Sequence, residues 1–290
     1  MIRVSVLVAA ISLCAPACAQ KEADVAAIED PCAAGEAALR ADETETAITS
    51  FEACLESRTL DPEQEAIVHS QLGGAYLYAE RWEDALREFD LAYAIAETQG
   101  TSLNSPYVRR NRGLARLRLG RLEGALSDLQ AANAELPDDM LAALFLGDAY
   151  MELDRPAEAV AAFDTVTRLE PSWPSGWISR SAAFLELGMN DRAVADARRA
   201  VEAAPESGFT LNALCWALVE NGQPETALPT CRQAVEAEPE SGAIVHSLAS
   251  ALEDSGQVEE ALPLFARAYE LTPDSDEIRE DYERTHASNP

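Results

Sequence analysis

Residues 71–93 read QLGGAYLYAERWEDALREFDLAY. Within this stretch Gly73 and Ala85 stand twelve residues apart, and the same separation returns along the chain: Gly35 with Ala47, Gly113 with Ala125, Gly147 with Ala159, Ser181 with Ala193, Cys215 with Ala227, and Ala249 with Ala261. Twelve residues beyond the last five alanines comes a proline: Pro137, Pro171, Pro205, Pro239 and Pro273, in endings that read NAELP, TRLEP, VEAAP, VEAEP and YELTP. From residue 106 onward the units repeat every 34 residues without gaps. Seven units follow, at about 28–61, 66–99, 106–139, 140–173, 174–207, 208–241 and 242–275. A fixed period of this length marks a repeat architecture.

Each unit holds two apolar-periodic segments of about a dozen residues, split by a turn such as LELGMN (Leu185–Asn190) or VENGQP (Val219–Pro224). That is the pattern of an antiparallel helix pair. The small residue and the alanine belong where the two helices approach most closely. The proline ends the second helix, because it cannot continue one. One such hairpin cannot bury its own apolar face, so neighbours must stack. The expected fold is all-α: an α-solenoid superhelix of about seven antiparallel helix-pair units over 30–275. A loose segment at 20–29 precedes it, and a capping helix and tail at 276–290 follow it. Two features depart from the pattern. GTSLNS (Gly100–Ser105) adds six residues between the second and third units, which would bend the superhelix or mark two subdomains. Pro229 and Pro263 fall early in second helices, where a lost N–H is cheaper, so kinks are expected there and not breaks.

The stretch Gln71–Tyr93, with FLGDAYMELDRPAEAVAAFD (Phe145–Asp164) and YVRRNRGLARLRLGRLEGALSDLQAA (Tyr107–Ala132), resembles the tetratricopeptide repeat. The resemblance covers about 28–275 and recurs in register seven times. It implies that the first helix of each unit lines a concave face that binds extended peptides or partner helices.

The chain carries 51 acidic against 22 basic residues, a net charge of −29. Such a surface repels nucleic acid and anionic lipid, so neither is an expected partner. The opening MIRVSVLVAAISLCAPACAQK has an early Arg3, an apolar run from Val4 to Leu13 and small residues up to Ala19. It reads as an export signal over residues 1–19, cleaved after Ala19, which places the protein in the periplasm. The alternative is lipoprotein processing before Cys18, with Cys18 as a lipid anchor. Without that lipid, no direct membrane insertion is expected after cleavage.

Four cysteines remain for the fold: Cys32, Cys54, Cys215 and Cys231. Residues facing each other in an antiparallel hairpin have frame positions with a constant sum. Cys215 and Cys231 stand at positions 8 and 24 of their unit, and Cys32 and Cys54 at positions 5 and 27 of theirs. Both pairs satisfy that rule, so each is expected to form a disulfide between the two helices of one unit, as suits an exported chain. Zinc is not expected, since His69, His246 and His286 lie in different units or the tail. There is no Cys-x-x-Cys, no glycine-rich phosphate loop and no Ser-centred elbow. The sequence therefore points to no enzyme, no cofactor and no metal.

The candidate binding residues are those of the first helices that face the groove. The third unit supplies Tyr107, Arg110, Asn111 and Arg118, with a run of six arginines between Arg109 and Arg121, while the second adds Gln71 and Tyr78 and the fourth adds Phe145. This end is expected to hold a carboxylate or phosphate. From the fourth unit on, position 13 is acidic: Glu152, Glu186, Glu220 and Asp254, with Asn212 and Trp216 beside the row. Acids at the C-terminal end of a helix run against its dipole, so something other than helix stability places them there. This end is expected to hold a basic or polar segment. The carboxylate-clamp form of the family uses lysines and asparagines across three units. Arg110 and Asn111 are similar to it, but the next two units lack the remaining cations. Trp82 and Trp177 read as packing residues. The expected function is a non-catalytic scaffold or adaptor in the bacterial envelope that binds a peptide or partner segment. The alternative is a lipid-anchored structural component of an outer-membrane assembly or secretion complex. An enzyme, or an enzyme's regulatory subunit, is a more distant third.

Overall fold

The computed structural model describes residues 30–57, 60–99 and 105–287, and these are helices and the turns between them. The leader, the loose segment 20–29, most of the 100–105 insertion and the last three residues lie outside the described residues. By its contacts the chain divides into two compact units between Leu153 and Asp154, not at the insertion. The first holds α1 (Pro31–Arg40), α2 (Thr44–Ser57), α3 (Pro62–Tyr78), α4 (Trp82–Gln99), α5 (Pro106–Arg118), α6 (Leu122–Glu135) and α7 (Met140–Glu152). The second holds α8 (Pro156–Leu169), α9 (Pro174–Glu186), α10 (Asn190–Ala203), α11 (Gly208–Glu220), α12 (Pro224–Ala237), α13 (Gly242–Asp254), α14 (Val258–Leu271) and α15 (Asp276–Ala287).

Within each unit every helix packs on the next, and the first helices of successive pairs also touch: α1 with α3, α3 with α5, α5 with α7, and separately α9 with α11 and α11 with α13. These first helices form one layer and the second helices another. The 34-residue period extends into the cap. Helix α15 starts at Asp276, where an eighth unit would begin, and packs against α14 as a further first helix would.

The turns explain why the period is so regular. Position 15 is left-handed in all seven frames: Asp42, Glu80, Gly120, Asp154, Gly188, Gly222 and Gly256 have φ between 55° and 79°. The following residue then donates its N–H to the carbonyl five back, as Arg81 does to Tyr76 and Gln223 to Leu218, both at 2.9 Å. This closes the first helix in a Schellman motif and reverses the chain. At the other end of the pair, Pro171, Pro205, Pro239 and Pro273 each lie two residues past the last helical residue. Pro229 and Pro263 sit inside α12 and α14 without ending them.

In the first three pairs the seam is a glycine against a large residue. A Cβ added to Gly35 would lie 2.7 Å from the Phe51 ring, one on Gly73 would lie 2.9 Å from Phe89, and one on Gly113 would lie 2.7 Å from Leu129. These contacts all join positions 8 and 24. The alanines of the recurring pattern, Ala47, Ala85, Ala125, Ala159, Ala193, Ala227 and Ala261, are at most 1% exposed.

Two joints between consecutive pairs carry arginines at frame position 7, Arg112 buried and Arg180 half-buried, where four other units have leucine and the first has alanine. Arg112 grips Asp128 through two hydrogen bonds of 2.8 and 2.7 Å and reaches Asp90 of the preceding pair at 3.4 Å, with its guanidinium 3.9 Å above the Tyr93 ring. Arg180 does the same with Asp196, at 2.7 and 2.8 Å, and with Asp164 of the preceding helix. The frame positions of both acids are identical in the two joints.

Candidate functional site

The inner layer of the first unit is built from α3, α5 and α7. Tyr107 projects from the first turn of α5 and is 47% exposed. Beside it, Arg110 is buried: Nη1 donates to Asp139 Oδ2 at 2.6 Å, Nε donates to Asn111 Oδ1 at 3.1 Å, and the guanidinium lies 5.4 Å from the Tyr107 ring. Asp139 is already the N-cap of α7, its Oδ1 accepting from the Ala142 N–H at 2.9 Å. The arginine therefore ties α5 to the start of α7. This corrects the expectation that Arg110 holds an external carboxylate, because an internal one already occupies it. Phe145 is likewise corrected: it is buried core, not a groove contact. Asn111 is buried too. Gln71 is half-buried, its Nε2 donating to Glu36 Oε1 of α1 at 3.2 Å, and Tyr78 is half-buried at the last turn of α3. Arg118 and Glu152 are exposed at the C-terminal ends of α5 and α7. Between them lies Asp148, whose carboxyl is pushed up to about 7 by burial, with Glu152 raising it further and Arg118 opposing. Nothing in the sequence pattern marks Asp148, since its shift comes from packing.

The inner layer of the second unit is built from α9, α11 and α13. Helix α11 presents Phe209, Asn212, Trp216 and Glu220 at i, i+3, i+7 and i+11, which is one helical stripe. Phe209 is 60% exposed, and the sequence reading missed it. Trp216 is half-buried. Asn212 is buried, and its Oδ1 has no hydrogen-bond partner among the described residues. Glu186, Glu220 and Asp254 are exposed final residues of α9, α11 and α13. The Glu220 carboxyl is held above its ordinary range by partial burial, then by repulsion from Asp254 and Glu186. Three of the four acids expected in the row thus end neighbouring first helices of this unit.

The cysteines meet as the frame requires. Cα–Cα separations are 5.0 Å for both Cys32–Cys54 and Cys215–Cys231, with the sulfur atoms in bonding contact. Cys215 and Cys231 take the 8/24 seam that Gly35 and Phe51 form in the first pair. Trp177 is half-buried and donates its indole N–H to the Pro171 carbonyl at 2.8 Å, a packing role as expected, and Trp82 is half-buried. Among the described residues no group of histidine, cysteine and acidic side chains is placed to hold a metal, and no helix is long and apolar enough to cross a membrane.

Two stretches, residues 116–179 and 212–276, match models of the tetratricopeptide repeat. No curated protein matches the chain. Among solved structures, a tetratricopeptide repeat protein from Parabacteroides merdae is similar over 90% of this chain and 99% of its own, with a TM-score of 0.69 at 14% identity. TTC0263 from Thermus thermophilus is similar over 63% of this chain and 99% of its own, with a TM-score of 0.55 at 21% identity. YrrB is similar over 68% of this chain and 96% of its own, with a TM-score of 0.54 at 16% identity. The two matched stretches are thus tetratricopeptide repeats, and the helix pairing and the structural neighbours show the same fold in this chain.

Proposed function

We propose that this protein is a non-catalytic scaffold or adaptor of the bacterial envelope that holds a peptide or partner segment against its inner helices. The observation that carries this reading is a pair of large aromatic side chains, Tyr107 and Phe209, standing exposed at position 2 of first helices. Large exposed aromatics are costly on a free surface and are typical anchors of a contact. YrrB, which shares the fold, is described as having an unusual peptide-binding site, and that is the precedent for such a use here. Export to the periplasm is supported by the leader-like opening and by two cysteine pairs within disulfide reach. Anchoring through Cys18 is the second reading, and palmitate labelling that is lost on Cys18→Ala would select it.

Photocrosslinking in cells, with a photoactive amino acid replacing Tyr107 in one strain and Trp216 in another, tests the binding reading. One dominant crosslinked protein is expected. Crosslinks that are diffuse, or no stronger than those from Glu236 on the outer layer, reject it.

A further inference from the structure

We infer that the inner face of α9, α11 and α13 takes a peptide segment bearing an arginine or lysine, seated along the Phe209–Asn212–Trp216 stripe with its basic group at Glu186, Glu220 and Asp254. This rests on the reading of the inner layer as a binding surface and specifies what that surface accepts.

Three observations meet here. The first is charge. Three carboxylates close three adjacent helices, each at the end where the helix dipole already gathers negative charge. Among the described residues no cationic side chain lies within ion-pair distance of any of the three, whereas neighbouring acids such as Glu253 and Asp281 are engaged by Arg284. Asp254 and Glu186 repel the Glu220 carboxylate, and a guanidinium or ammonium group placed near them offsets that repulsion. The second is Asn212. A buried amide oxygen without a donor is destabilising. A backbone N–H of a segment seated over Asn212 would supply the missing donor. The third is the flanking of Asn212 by Phe209 and Trp216 on the same stripe, which offers apolar surface and a ring for a cation. The absence of a metal-ligating cluster among the described residues favours an organic cation over a metal ion.

The test uses the full chain and a fluorescein-labelled decapeptide of serine and glycine with two arginines, against its twin with two glutamates, read by anisotropy at physiological salt. The arginine probe is expected to bind and the glutamate twin to fail. The triple variant Glu186→Gln, Glu220→Gln, Asp254→Asn should weaken binding at least tenfold. The control triple Glu225→Gln, Glu236→Gln, Glu270→Gln removes the same charge from the outer helices and should change it less than twofold. Equal losses in the two triples would mean that net charge alone attracts the probe, and the inference fails. It also fails if millimolar calcium displaces the probe and binds the acids by itself. Asn212→Ala should weaken binding without lowering Tm, and unchanged affinity would remove Asn212 from the site. If crosslinking from Trp216 captures a partner through a segment lacking arginine and lysine, only this inference falls; if nothing is captured, the binding reading falls with it.

Discussion

Arg112 and Asp128, both about nine-tenths buried or more, face each other in a two-bond pair that Arg116 joins at 2.7 Å and Asp90 completes from the preceding helix pair. Such a pair is weak evidence for stability, since desolvation offsets most of its attraction, but breaking one half is costly. Asp128→Asn should therefore lower unfolding free energy by about 3–5 kcal/mol. Arg112→Leu with Asp128→Leu should recover most of that loss, because four of the other six units carry leucine at position 7. Urea denaturation of the single and double variants decides it. A double variant no better than the single would mean that Arg112 is needed for more than local neutrality.

Arg110→Glu places a second carboxylate beside Asp139 in a buried site, where the arginine now bridges α5 and α7. A loss of several degrees in Tm is expected, while Arg118→Glu, at an exposed position, should leave Tm within a degree or two. Equal, small effects would show that the Arg110–Asp139 contact contributes nothing to packing.

The left-handed turn residues can be tested in both directions. Glu80 holds φ 56° with a side chain that such a backbone disfavours, so Glu80→Gly should stabilise by about 0.5–1 kcal/mol. Gly120 holds φ 69°, and a Cβ there would meet nothing within 4 Å, so Gly120→Ala should cost about 1–2 kcal/mol from backbone strain alone. Thermal melts of the two variants should move in opposite directions.

Asp148 keeps its proton in the folded chain up to about pH 7, whereas in the unfolded chain it loses it near 4. The folded form binds the extra proton across that window, so this group's contribution to stability declines as pH rises from about 4 towards 7. Asp148→Asn should match the parent at pH 4.5 and exceed it in Tm at pH 8. A constant difference across pH would mean that the carboxyl titrates normally.

Cys215 and Cys231 replace the glycine and phenylalanine of the equivalent seam, so their bond should staple α11 to α12. Mass spectrometry of the unreduced, exported protein should show that linkage. Reduction should cost about 3 kcal/mol in the chain-entropy view. Free thiols at both positions in exported protein would overturn the compartment assignment as well.

The repeat was legible in the sequence because each position in the frame answers to one dominant local demand. Position 15 needs a left-handed turn, position 8 must be small where the two helices approach, and the proline ends the second helix. These demands hold regardless of what lies in the neighbouring unit, so period, helix pairing and cysteine partners could all be derived by counting. The binding residues could not be derived in that way. Arg110 sits at a groove position in the frame, yet its fate depended on Asp139, 29 residues away and fixed in place as a helix cap. Phe145 is inward in the same frame and is buried. Phe209 and Asn212 gained their meaning from exposure and from a missing hydrogen bond, neither of which has a sequence signature. Sequence alone determined the succession of helix pairs, through short-range backbone and volume rules. Only the tertiary structure decided which polar side chains are consumed by internal partners and which remain to meet another molecule, because electrostatic pairing and desolvation depend on distances that no spacing along the chain specifies.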